Sequence, residues 1–227
     1  MFLSRIERQA LAEFDKWVPD FRPALETALP GDKEAIRALD DVRARFRELL
    51  AAMPDPGLGA PMQRAFSISG ALYIAVYLVL QARGFDAARA WGVCDAATRA
   101  HFKRMRGLAR WAAAEGMFSR LTRWLTQSWT KRSRTAAVGG WEADYVPAEP
   151  GSHELGIDYS RCAIRELALS QGAAEFAPYI CLADIIGSEE FGWGLRRTET
   201  LAQGGTRCDF RFRRDKPTDV VRRLPVL

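Results

Sequence analysis

Apolar residues recur at helical spacing through most of the first 135 positions. Ile6 to Trp17 shows this period, and Asp32 to Met53 shows it again, with Asp32 placed as the N-cap of "AIRALDDVRARFRELL". "PDPGLGAP", Pro54 to Pro61, reads as a loop by its prolines and glycines. "AFSISGALYIAVYLVL", Ala65 to Leu80, is nearly continuous apolar sequence. A spanning helix needs about 20 such residues, and this run is shorter and carries two serines and a glycine, so a buried core helix is expected. It ends at Gly84. Asp86 is then placed to cap "AARAWGVCDAATRAHFKRM", inside which Cys94 reads as a small buried hydrophobe. In "MFSRLTRWLTQSWTKRSR", Met117 to Arg134, the residues Phe118, Leu121, Trp124 and Leu125 share one face and arginines line the rest. The pattern predicts an amphipathic helix packed on the core with a solvated basic face; a membrane-surface helix is the sharper alternative. Gly139 and Gly140 break it.

Beyond Gly140 the period changes. "WEADYVPAE" and "HELGIDYS" are strand-like and flank a Pro150-Gly151 turn. A helix is predicted from about Arg161 to Ser170, closed by Gly172. "AEFAPYICLADIIG" predicts another, with Pro178 near its start. "TLAQGGTRCDFRF", Thr200 to Phe212, reads as strand, glycine turn, strand. The order strand, strand, helix, helix, strand, strand implies an α+β fold: a helical N-terminal half packed on a small antiparallel sheet with two helices in the C-terminal half. One domain over residues 1–227 is expected, helical to about 135 and α+β from about 141 to 215.

Composition changes this picture little. Of 227 residues, 48% are hydrophobic and 27% charged, the balance of an ordinary globular chain. The formal charge of +5 is small and its arginines are spread out, which favours an anionic small molecule over nucleic acid as partner. Charges interrupt "MFLSRIERQALAEF", so no secretory signal is read, and a cytoplasmic setting with reduced thiols is expected. No stable membrane insertion is expected, and a homo-oligomer is compatible with the sequence. The four cysteines, Cys94, Cys162, Cys181 and Cys208, show no CxxC spacing.

Candidate chemistry gathers in the second half. Cys162 follows "DYSR" where strand gives way to helix. With Ser160 as N-cap it would sit in the first helical turn, where free N–H groups and the dipole favour a thiolate, helped by Arg161 and Arg165. A buried thiol under the sheet is the alternative. Cys181 and Asp184 share a helical face. Asp184 is either at a solvated margin or in a polar pocket, since a carboxylate among Ile180, Leu182 and Ile185 needs a partner. A two-residue turn at Gly204-Gly205 would pair Thr200 with Asp209 and Leu201 with Cys208; a three-residue loop would set Thr198 and Thr200 beside Phe210 and Cys208. In either register Cys208 faces the apolar side, and Asp209 balances the charge of an arginine-rich face.

Together, "DYSRCAIRELALSQGAAEFAPYICLADI" and "GLRRTETLAQGGTRCDFRF" resemble the L-2-amino-thiazoline-4-carboxylic acid hydrolase family from about Trp141 to Arg213. The matching positions are Asp158, Arg161, Cys162, Cys181, Asp184, Arg197, Thr200, Leu201, Ala202, Gly204, Cys208, Asp209, Phe210 and Arg211. The hairpin also resembles the end of vinyl-reductase-type ligand-binding domains. "IIGSEEFGWG" departs from the aromatic- and methionine-rich segment common in the hydrolase family.

The first resemblance implies hydrolysis of a cyclic isothiourea or amidine that carries a carboxylate, with no cofactor. Asp184 is then the candidate acid/base, Cys162 or Cys181 the nucleophile, and Arg161 or Arg197 the cation for the substrate carboxylate. Thr200, Cys208 and Asp209 complete the candidate binding residues. His101 and His153 give little support to a histidine dyad. Two other classes stay open: a metal site built from Cys162, Cys181, Cys208 and Asp184, and a non-enzymatic binding or sensory domain.

Overall fold

A computed structural model describes residues 5–53, 61–136 and 140–220. The expected Pro54 to Pro61 loop and the break at Gly139 lie outside those residues, apart from Pro61 itself. Helices α1 (Arg5–Ala28), α2 (Asp32–Ala52), α3 (Pro61–Gln81) and α4 (Ala87–Arg104) come first, followed by α5 (Gly107–Gly116) and α6 (Arg120–Ala136). Strands β1 (Glu142–Val146) and β2 (Leu155–Arg161) precede α7 (Ala163–Ser170), α8 (Ala177–Ile180) and α9 (Leu182–Phe191). Strands β3 (Leu195–Arg197), β4 (Cys208–Phe212) and β5 (Asp219–Val220) close the order.

Local chemistry explains most of the boundaries. Asp86 caps α4 by accepting the Arg89 amide at 2.7 Å. Asp32 is instead the first residue of α2, after Gly31, and supports that helix through its charge near the N-terminus. Helix α1 runs well past Trp17, through Pro19 and Pro23. Both prolines lie on the exposed face, so the carbonyls they leave without an N–H partner turn toward water.

Helix α3 is the centre of the core. By length and composition it could cross a membrane, but 72% of its apolar window is buried inside the fold. It packs on α2, α4 and α7, and Gly70 makes the α7 contact close: a Cβ there would lie 2.7 Å from the Ile164 side chain. The same buried cluster runs from Phe14, Phe46 and Leu72 into Leu167, Phe176 and Ile186, so the helical half shares its interior with α7–α9.

The fold is α+β, and the sheet has the order β1-β2-β4-β3-β5. Its first four strands pair antiparallel; β5, which the sequence pattern does not reveal, pairs parallel to β3 and makes the sheet mixed. Tyr159 stands opposite Cys208, Ile157 opposite Phe210, and Leu195 opposite Phe212. These side chains face the helices. The outer face is polar, with Arg211 donating to Asp158 at 2.6 Å and Arg134 to Asp144.

Candidate active site

Three junctions of the chain meet on the inner face of the sheet. The first is the passage from β2 into α7. Cys162 is the N-cap of α7, which starts two residues later than the sequence suggests, while Ser160 stays in the strand. The second is a break in the helix expected over residues 174–187. A 3-10 turn (Ala174–Phe176) and α8 (Ala177–Ile180) end at Cys181, which is also the N-cap of α9. The third is the connection from β3 to β4.

That connection is longer than either turn the sequence offers. Strand β3 ends at Arg197, and the register puts Arg196 opposite Arg211. Residues 198–207 form a loop around a short 3-10 turn, Leu201–Gln203, which Thr200 caps and Gly204 ends at a φ of 82°. Asp209 organises the loop. Its carboxylate accepts the Thr198 amide at 2.9 Å, the Thr198 hydroxyl at 2.6 Å and the Glu199 amide at 2.8 Å. Burial pushes its pKa up, but these donors outweigh it and hold the carboxyl below the ordinary value. Asp209 is thus a clamp for the loop, not a counter-charge in a solvated arginine face. Cys208 does similar work from the other side, its sulfur accepting the Leu201 amide at 3.2 Å.

Arg197 is the best-buried charge in the group, with 2% of its side chain exposed. It donates to Asp184 Oδ2 at 2.7 Å and to the Cys181 carbonyl at 3.1 Å, and lies over the Phe210 ring at 5.1 Å. Its Nε is buried with no partner among the described residues. Asp184 is different. About 38% of its side chain is accessible, yet burial is the leading influence on its carboxyl and raises the pKa against the pull of Arg197. Both hold together if the accessible surface faces a recess inside the protein rather than open solvent.

Cys162, Cys181 and Cys208 are near enough to Asp184, and to at least one other thiol of the set, to act on each other's ionisation. Burial pushes each up to about 12. At Cys162 the amides of Arg165 and Ile164 pull the other way, as a helix start should, but the low-polarity surroundings win. Of the two readings the sequence left open, a helix-start thiolate and a buried thiol, the structure favours the buried thiol. Thr200, fully buried, faces Cys181 and lowers its pKa slightly. Arg161 is not brought to this group. Its side chain is on the surface, donating to Glu166 at 2.7 Å and lying 3.9 Å from Glu142.

Two buried residues complete the walls and were not singled out from sequence. Tyr159 senses Asp184, Cys162 and Cys208, and its hydroxyl is held by Gln63 of α3. Burial raises its pKa far above the phenol range, so it stays a neutral donor. Its position three residues before Cys162, on the apolar face of β2, is the signal that could have found it. Among the described residues no three His, Cys, Asp or Glu groups lie close enough to hold a metal ion, so the four-ligand set read from the sequence is not assembled. A separate groove of about 270 Å³, lined by Arg123, Glu149, His153 and Arg213, opens at the β1–β2 turn, away from these thiols.

The arrangement therefore offers one acid/base carboxylate of raised proton affinity, a buried guanidinium that orients it, neutral thiols and an aromatic wall. The family model described as L-2-amino-thiazoline-4-carboxylic acid hydrolase matches residues 65–212, from α3 to the end of β4. No curated protein and no solved structure matches the chain.

Proposed function

We propose that this chain, which belongs to the L-2-amino-thiazoline-4-carboxylic acid hydrolase family, is a hydrolase that opens a cyclic amidine or isothiourea bearing a carboxylate. The observation that carries the reading is Asp184, raised in proton affinity yet fixed by Arg197 at 2.7 Å beside thiols that burial keeps neutral. A base of this kind takes and returns a proton nearer neutral pH than an ordinary carboxylate does.

Water adds to the ring carbon between sulfur and nitrogen. As its oxygen bonds to that carbon, Asp184 takes the water proton and the C=N electron pair moves to nitrogen. The remaining proton on that oxygen then passes to the nitrogen as C=O forms and one ring bond to the carbon breaks, while Asp184, now the acid, returns the first proton to the departing ring atom. One water is consumed, one ring bond opens, and the carboxylate is regenerated. Arg197 is a positioning residue here: it holds Oδ2, and Oδ1 takes no protein hydrogen bond among the described residues.

A thiolate mechanism is less well supported. With pKa values of about 12, only about one Cys162 or Cys181 in 10⁵ is ionised at pH 7. The thiols serve as polarisable neutral walls. The test is incubation of the purified chain with 2-amino-thiazoline-4-carboxylate, following gain of one water by mass spectrometry. Asp184→Asn is expected to lose at least about 100-fold in turnover while still binding; Cys162→Ala is expected to keep turning over. Binding by the unmodified chain without any turnover would favour the vinyl-reductase-type binding reading instead.

A further inference from the structure

We propose that α5 and α6 form a docking face for an anionic lipid surface. Helix α5 contributes no buried residue, and on it Leu108 is 77% and Trp111 61% exposed. On α6, Leu121, Trp124 and Leu125 share a face at helical spacing, and Trp124 is 62% exposed. The sequence pattern predicts that this face packs inward together with Phe118; the structure buries Phe118 but turns Leu121, Trp124 and Leu125 out. The inward face of α6 carries Thr126, Trp129, Thr130 and Ser133. Hydrogen bonding fixes that choice, because Ser133 Oγ accepts the Ala143 amide of β1 at 3.1 Å and donates to the Thr130 carbonyl at 2.9 Å. The apolar side is left without a partner among the described residues.

Charge identifies the partner. Residues 103–134 hold nine lysines and arginines and one acid, Glu115. The remainder of the chain carries 24 basic and 27 acidic residues, so the cationic excess is local to this hairpin. Arg104, Arg123 and Arg134 have acidic neighbours in Asp20, Glu154 and Asp144. Lys103, Arg106, Arg120 and Lys131 are exposed and have none among the described residues. Exposed tryptophan and leucine ringed by such cations match the boundary of a bilayer, where rings and aliphatic chains enter the headgroup layer and basic side chains reach phosphates. A second copy fits poorly, because a two-fold contact would oppose two patches of the same sign. Nucleic acid would match the charge but offers no place for Leu108, Leu121 and Leu125. Contact is peripheral: the helix apolar enough to span, α3, is the core of the fold.

The full chain should co-sediment with phosphatidylcholine vesicles containing about a third phosphatidylglycerol. Neutral vesicles should bind at least about tenfold more weakly. Trp111→Gln/Trp124→Gln should weaken binding at least about tenfold with an unchanged circular dichroism spectrum, and Arg120→Glu/Lys131→Glu should do the same on anionic vesicles only. Absence of binding to anionic vesicles overturns the proposal, as does full binding by the double tryptophan variant. A concentration-dependent dimer abolished by that variant would assign the face to a second copy, and oligonucleotide binding abolished by it would assign the face to nucleic acid; either result also overturns the lipid assignment.

Discussion

Arg197 Nη1 lies 2.7 Å from Asp184 Oδ2, and the two partners are unequally sunk: 2% of one side chain is accessible and 38% of the other. An arginine cannot shed its charge, whereas a buried aspartate can take a proton. Removing the two partners should therefore have unequal effects. Asp184→Leu strands a buried cation and should cost about 3–5 kcal/mol. Arg197→Met leaves a carboxyl that can neutralise itself and is partly hydrated, and should cost at least about 1 kcal/mol less. Urea unfolding of the two variants at pH 7 measures the difference, and equal losses would contradict it.

The same pair sets a pH dependence. The Asp184 pKa is raised above the ordinary 3.8, so the folded state holds this proton more tightly than the unfolded state does. Its contribution to stability is complete below the unfolded pKa and is lost as pH rises through the folded one. Unfolding free energy of the parent relative to Asp184→Asn should fall across that window. If Asp184 is the base, the acid limb of kcat/KM should sit above the ordinary carboxylate range and report the same ionisation.

Asp209 works in the opposite direction. Its pKa is lowered by the Thr198 and Glu199 donors despite burial, so its stabilisation is present above the unfolded pKa and lost as pH falls through the folded one. Asp209→Ala removes three hydrogen bonds and should cost about 3 kcal/mol, judged against 1.5–3 for a single bond to a charged group and some relaxation of the loop. Amide exchange should speed up at Thr198 and Glu199 first.

Thiol chemistry gives an independent check. At a pKa of about 12, against an ordinary 9.0, each of the three clustered thiols carries about a thousandfold less thiolate than a free one. Native alkylation at pH 8 should be slow at all of them. Access then ranks the sites: Cys162 and Cys181, partly exposed, react before buried Cys208 and Cys94. Peptide-resolved mass spectrometry decides it, and a Cys162 that reacts like a free thiol would restore the nucleophile reading.

Gly70→Ala should destabilise by about 1–3 kcal/mol, because the new methyl meets Ile164 at 2.7 Å and both helices are packed on further core. Ile164→Ala in the same chain should recover most of that loss. The coupling matters to the site because Ile164 is two residues from Cys162, so Gly70 sets how deeply the start of α7 sits.

What the sequence reveals depends on how local the deciding interaction is. The α3 core helix, the Asp86 cap and the two strands before α7 are decided within a few residues, and they are legible. The β3–β4 connection is not, because Gly204-Gly205 imitates a two-residue turn while the true register is set by Asp209 reaching back eleven residues to Thr198. The orientation of α6 is also hidden: a hydroxyl on Ser133 and a strand ten residues later decide which face goes in. At the site, Asp184 is legible as a charge in apolar sequence that needs a partner, whereas Arg197 stands out only through the family resemblance. The state of Cys162 is not, since its helix start is local and its burial is assembled from β2, α7 and α9.

Chain order around α3 has a consequence for biosynthesis. The ribosome completes α1 and α2 before it makes the most apolar helix of the protein, so the cover exists before the surface it must cover. Both covering helices are amphipathic, and α2 packs directly on α3. A circular permutant that begins at Pro61 and carries α1 and α2 at its end would have the same finished interior but would leave the α2-facing side of α3 uncovered until the end of translation. It should show its defect as inclusion bodies and chaperone dependence in the cell rather than as a lower melting temperature once refolded.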